Sequence, residues 1–174
     1  IRDRAEILPY LESLRDRLDI PILYVSHDIA EVERLASHMV LLGEGRVRAS
    51  GPLVELEADP SLPLLRMPEA GVTLAGRVIG QDAAYGLIRI AVDGGELVAP
   101  GDGAGTVRLR ISAADVSLST RQPEGSSILN ILPARIVAAE AEGAAMVVVL
   151  ALGARGEGAR LLSRVTRKSW DDLH

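Results

Sequence analysis

His27 is the residue in this chain best placed to do chemistry. It sits in Tyr24-Val25-Ser26-His27-Asp28, directly after the apolar run Ile20-Pro21-Ile22-Leu23 and before the helical pattern Ile29 to Ala36. A short β-branched run that ends on a polar triplet and passes into a helix reads as strand, sharp turn, helix. In an open parallel sheet, ligands gather just beyond the carboxyl ends of the strands, which is where His27 falls. An imidazole there can position a ligand oxygen or exchange a proton with it. The residues alone leave a second reading open, a strand-end histidine that caps the next helix. Ser26 and Asp28 read as turn and cap residues rather than as a catalytic pair, because adjacent side chains point apart. No Gly-x-x-x-x-Gly-Lys-Ser/Thr phosphate loop occurs, and the only lysine is Lys168. With Ile1 as its first residue, the chain is expected to be the C-terminal piece of a longer protein.

Composition narrows the class. The 174 residues have room for one domain or two small ones, with enough chain for a core. The apolar content is aliphatic, with no Phe, one Trp and three Tyr. That argues against the aromatic platforms on which RNA or single-stranded DNA stacks. A net charge of −5 argues against nucleic acid as well. The absence of Cys excludes disulfides, thiolate metal sites and cysteine nucleophiles, and three scattered His form no metal cluster, so no metal site is expected. The longest apolar run, Ala144 to Leu152, is too short to cross a bilayer and reads as a buried strand. No basic-then-apolar leader is present, so the expected compartment is the cytoplasm.

The elements that position these residues change character near residue 60. Ile7, Leu8, Leu11, Leu14 and Leu18 recur at helical spacing, and Pro9 places the start of the regular helix near itself. Ile20 to Val25 reads as a buried strand. The next helix turns Val32, Leu35 and Ala36 to the core and Glu31, Glu33 and Arg34 to solvent. His38 to Leu42 and Arg46 to Ser50 read as a hairpin through Gly43-Glu44-Gly45. Gly51-Pro52 then opens a short helix through Leu56, with Pro at its first position. Residues 59–71, with Pro60, Pro63 and Pro68 and no periodicity, read as a linker.

Beyond the linker come short strands separated by Gly: Val72 to Gly80, Tyr85 to Val92, Glu96 to Ala99, Thr106 to Ile111 and Val116 to Leu118. A second set follows at Leu132 to Ala141, Ala144 to Leu152 and Arg160 to Val165. Strands at this spacing indicate a small barrel or sandwich. Thr166 to Leu173 reads as a helix capped by Thr166, and Arg160, Arg164, Arg167 and Lys168 as a solvated basic face.

The ordered series from Ile7 to Gly51 resembles the last third of an ATP-binding-cassette ATPase domain. Arg4-Ala5-Glu6-Ile7-Leu8 is similar to the helix after the family's D-loop, and Ile22 to Asp28 to its H-loop strand and turn. Glu31 with Arg34-Leu35-Ala36, then Gly45-Arg46-Val47, Gly51-Pro52 and Glu55-Leu56, fit the helix, hairpin and short helix that close that domain. The resemblance implies that His27 contacts the γ-phosphate and attacking water of ATP. It also implies a Walker A lysine, a Walker B carboxylate pair and a signature loop upstream of Ile1, with ATP and Mg²⁺ as cofactors of the parent. The chain by itself is not expected to hydrolyse ATP.

A second region, Ser126-Ser127-Ile128-Leu129-Asn130 with Leu132 to Ala138 and Ser163-Arg164-Val165-Thr166, resembles the MOP domain, a TOBE-type oxyanion-binding barrel of molybdate-importer ATPases. By that resemblance the ligands of a tetrahedral oxyanion are Ser127, Asn130, Ser163 and Thr166. Molybdate and tungstate are dianions with four acceptor oxygens, which suits neutral donors at turns and helix starts. Leu129 stands where many members of the family carry Arg. On the residues alone, the same four side chains also read as caps of turns and of a helix.

The fold class expected is thus an α/β remnant of an ATPase domain over residues 1–58, a linker over 59–71, and an all-β OB-like region. That region divides into a first half over 72–120 and a MOP domain over 121–174, expected to be C-terminally truncated. The function implied is the C-terminal part of the ATP-hydrolysing subunit of a molybdate importer. It would work as a homodimer with transmembrane permease subunits at the inner face of the membrane, and bind no nucleic acid. The alternatives are another anion or sugar importer ATPase, a free-standing oxyanion-binding or storage module, and a barrel that only dimerises the transporter.

Overall fold

A computed structural model describes residues 3–18, 20–67 and 69–173. They divide into two compact units, Ile1–Leu56 and Glu57–His174, against the boundary expected at 58. In the first unit, helix α1 spans Asp3–Arg17 and α2 spans Ile29–Leu35. Pro9 lies inside α1 instead of near its start, so the helical ladder lacks the rung its missing N–H would supply. The Arg34 guanidinium on α2 grips the Glu12 carboxylate of α1 at 2.8 and 3.0 Å. That hydrogen-bonded pairing raises the arginine's pKa above its ordinary value. Strands β1 (His38–Gly43) and β2 (Arg46–Pro52) form the expected hairpin. Its turn residues Glu44 and Gly45 have φ of 51° and 70°, the left-handed pair that a two-residue type I′ turn demands. Pro52 ends β2, and helix α3 (Leu53–Glu57) begins one residue later than the sequence suggests.

Two further expectations fail in this unit. Ile20 to Val25 is not a buried strand: it has no strand partner among the described residues, and Leu23 and Val25 are 91% and 85% exposed. A strand is a property of a hydrogen-bonded pair, and an apolar run is covered on both faces only inside a sheet packed on both sides. Glu31 and Glu33 are not on a solvated face either, being 6% and 3% exposed.

The second unit is built from two antiparallel sheets. Strands β3 (Gly71–Asp82), β4 (Leu87–Val92), β5 (Gly95–Pro100) and β6 (Thr106–Ser112) lie in the order β5-β4-β3-β6. Strands β7 (Ala134–Glu142), β8 (Ala145–Leu152) and β9 (Arg160–Thr166) lie in chain order. Both sheets feed one core: Val72 and Leu74 of β3 join Val147 to Leu150 of β8 and Leu161 and Leu162 of β9. Every residue of β8 from Met146 to Leu152 is buried, so the apolar–polar alternation of a half-buried strand is absent there. Two sheets on a shared core, with few helices, are consistent with the OB-like class expected.

The described part of the segment expected as a linker, 59–67 and 69–71, contains packed residues. A 3₁₀ turn at Pro63–Arg66 buries Leu64 and Leu65, and Ala58, Leu65 and Ala70 enter the core. One short turn held by adjacent leucines leaves no periodicity to read. Val116 to Leu118 forms no ladder; it runs on from a 3₁₀ turn at Ala113–Asp115 and packs Val116 and Leu118 on the core. Helix α4 (Arg167–Asp172) starts where expected, with the Thr166 hydroxyl accepting from the Ser169 N–H at 3.0 Å. Arg164 departs from the solvated face assigned to it. Its guanidinium donates to Glu142 at 2.7 Å and to the carbonyls of Leu65 and Met67 at 2.9 Å each, binding β9 to the 3₁₀ segment.

Candidate functional site

The His27 turn is assembled from its neighbours. In an extended chain, residues two apart share a side. Tyr24 and Ser26 accordingly donate together to one oxygen of the buried Glu31, at 2.9 and 2.5 Å. The Ser26 hydroxyl oxygen in turn accepts from the Asp28 N–H at 3.1 Å, and the Asp28 carboxylate accepts from the Ala30 N–H at 3.0 Å. The cap of α2 is therefore Asp28, not His27. His27 is exposed, and its imidazole makes no hydrogen bond among the described residues. A fastened turn presents a side chain that has both ring nitrogens to offer a ligand. Spacing alone makes Glu31, which completes the arrangement, a surface residue. The signal that could have found it is the pair of hydroxyl residues at 24 and 26 facing one acid on the first helical turn.

The four residues expected around an oxyanion fall in different surroundings. Ser127 is exposed in the irregular segment before β7, where the Ser126 hydroxyl caps the Ile128 N–H at 3.1 Å. Asn130 turns its amide onto the backbone of Val98 in β5: Oδ1 accepts from the N–H at 2.7 Å and Nδ2 donates to the carbonyl at 2.9 Å. The side chain there imitates a strand neighbour on the free edge of the first sheet, and one amide proton remains to be donated. Ser163 is fully buried and gives its hydroxyl proton to the Val116 carbonyl at 2.5 Å. Thr166, three residues on, falls on the opposite face of β9, exposed and capping α4. Among the described residues no hydrogen bond joins Ser127 or Asn130 to Ser163 or Thr166.

Asn130→Ala is expected to lower the stability of the second unit by about 1 kcal/mol, the net worth of a paired amide. Urea denaturation followed by Trp170, the only tryptophan and packed on that core, would measure it. No loss would mean that the Val98 pairing is not formed.

Residues 126–174 match the family model of the TOBE domain. The molybdenum import ATP-binding protein ModC of Rhodopseudomonas palustris (strain BisB18) is 54% identical to the chain over 98% of its length. The ModC of Rhodobacter capsulatus is 53% identical over 98% of the chain, and that of Pseudomonas aeruginosa 45% over 99%. The chain resembles the C-terminal part of a molybdenum import ATP-binding protein. It spans 46%, 48% and 49% of the three ModC relatives, about half of each. The ModC resemblance runs through both units, while the TOBE match falls within the second. Among the described residues no helix is long and apolar enough to cross a membrane, and no His, Cys, Asp or Glu cluster could hold a metal ion.

Proposed function

We propose that this chain serves as the C-terminal part of the ATP-hydrolysing subunit of a molybdate importer. The observation that carries the reading is a match to import ATP-binding proteins that extends through both units at more than half identity. In this proposal residues 1–58 complete a nucleotide site, the α/β remnant whose remaining strands lie in the rest of the subunit. His27 sits at the γ-phosphate and attacking water, where phosphoryl transfer depends on positioning and charge stabilisation. The lysine and carboxylates that hold the β-phosphate and Mg²⁺ belong to the remainder of the subunit. ATP would join two such subunits at the cytoplasmic face of the membrane, and hydrolysis would release them and move the permease subunits.

The OB-like region, divided as 72–120 and 121–174, is proposed to dimerise with its copy and to sense cytoplasmic molybdate or tungstate through Ser127, Asn130, Ser163 and Thr166. The exposed positions of Ser127 and Thr166 and the spare amide proton of Asn130 support the donor role. The inward bond of Ser163 to Val116 favours a second reading for that residue, in which it holds the barrel together and binds nothing.

The test is uptake by the full subunit reconstituted with its permease in vesicles. ATP-dependent accumulation of molybdate, with sulfate excluded, is the expected result; accumulation of sulfate alone would move the assignment to another anion importer. Molybdate enclosed with the ATPase should slow uptake, and Ser127→Ala with Asn130→Ala should relieve that inhibition. Undiminished inhibition in the double variant would remove the oxyanion site from these residues.

A further inference from the structure

The acid on the first turn of α2 has no part in the reaction proposed above, yet it is 6% exposed and bonded on one oxygen by two hydroxyls. Those hydroxyls belong to residues three and one before His27. The Ser26 oxygen that donates to Glu31 also accepts from the Asp28 N–H, so the fastening reaches across His27 to the residue after it. A serine hydroxyl has one proton. The bond donated to Glu31 Oε2 uses that proton and leaves the oxygen's lone pairs facing Asp28. We infer that Glu31 is a positioning residue for His27: it sets the direction of the Ser26 hydroxyl and thereby the backbone of the turn that carries the imidazole. The inference rests on the reading of His27 as the γ-phosphate contact.

The fastening of the turn uses one acceptor oxygen of Glu31, because Oε2 receives both donors. Glutamine can place its carbonyl oxygen in the same position, whereas alanine removes the acceptor that the two hydroxyls share. The experiment uses the full subunit assembled with its permease and separates kcat from KM for ATP. Glu31→Ala is expected to lower kcat about tenfold with KM within about twofold, and Glu31→Gln to restore most of the loss, since a misplaced catalytic group costs rate more than ground-state binding. Ser26→Ala leaves the acid in place and breaks the same relay, so it covers the case in which Glu31→Ala fails to assemble. A similar fall in kcat is expected there. Unchanged kcat in Glu31→Ala or Ser26→Ala overturns the inference, as does Glu31→Gln as slow as Glu31→Ala. His27→Ala run alongside keeps the two readings apart: full activity in that variant would sink the nucleotide-site reading itself.

Discussion

Replacing His27 with alanine in the assembled transporter is expected to lower ATP turnover by on the order of 100-fold or more, the cost of deleting one preorganised donor at a developing charge. The imidazole takes no part in holding the turn together. It is exposed and makes no hydrogen bond among the described residues, and the turn is fastened by Tyr24, Ser26, Asp28 and Glu31. Removing it should therefore leave the fold of the first unit in place. KM for ATP should change little, because in this proposal the phosphates and Mg²⁺ are held mainly elsewhere, so the loss falls on kcat. His27→Gln separates the two jobs an imidazole can perform. A glutamine that recovers much of the rate would assign positioning and hydrogen bonding; one as slow as alanine would assign proton exchange or the imidazolium charge. Phosphate release in a single turnover is the readout, and wild-type release by His27→Ala would remove the first unit from the nucleotide site.

The second unit was more legible in the residues than the first, for a physical reason. Its strands are separated by Gly-bearing turns and, apart from the β3–β6 pair, meet neighbours close along the chain, so spacing and turn chemistry located most of them. Thr166 was readable as a cap because a helix start is a local event. Ile20 to Val25 was not, since a strand requires a partner and the apolar run alone does not supply one. Leu64 and Leu65 were hidden among prolines for the opposite reason, a packed segment with no period.

The sites divide in the same way. His27 was visible as a polar residue between two regular elements, but its support was not, because periodicity counts Glu31 as a surface acid wherever its partners lie. Asn130 meets Val98 across 32 residues and Ser163 meets Val116 across 47, and no local pattern reports a pairing of that range. These two of the four expected oxyanion donors thus have structural bonds whose partners the residues alone did not reveal.

Gly158→Ala is expected to destabilise the second unit by about 4 kcal/mol, from overpacking of about 3 kcal/mol and about 1 kcal/mol of lost hydrogen bonding. Gly158 lies in the connection from β8 to β9, against the Asp93-Gly94 turn between β4 and β5. A Cβ there would stand 2.5 Å from the Gly94 Cα and 2.6 Å from the Asp93 carbonyl oxygen. These are backbone atoms, so relief cannot come from a side chain turning aside. The approach is mutual, since a Cβ on Gly94 would stand 2.9 Å from the Gly158 Cα, and Gly94 also holds a φ of 91°. Moving the turn away would stretch the bond from the Ala159 N–H to the Asp93 carbonyl, now 2.9 Å, which ties the first sheet to the second. Against a typical total stability of about 5–15 kcal/mol, such a loss leaves little margin. Two controls isolate the cause. Gly103→Ala meets open space and should stay within about 0.5 kcal/mol of wild type. Gly143→Ala also meets open space but has a φ of 57°, so it should cost about 1 kcal/mol through backbone conformation alone. Urea denaturation of the three variants, followed by Trp170, orders them as Gly158, Gly143 and Gly103. A Gly158→Ala variant no less stable than Gly143→Ala would show that the two sheets do not meet at this pair of glycines.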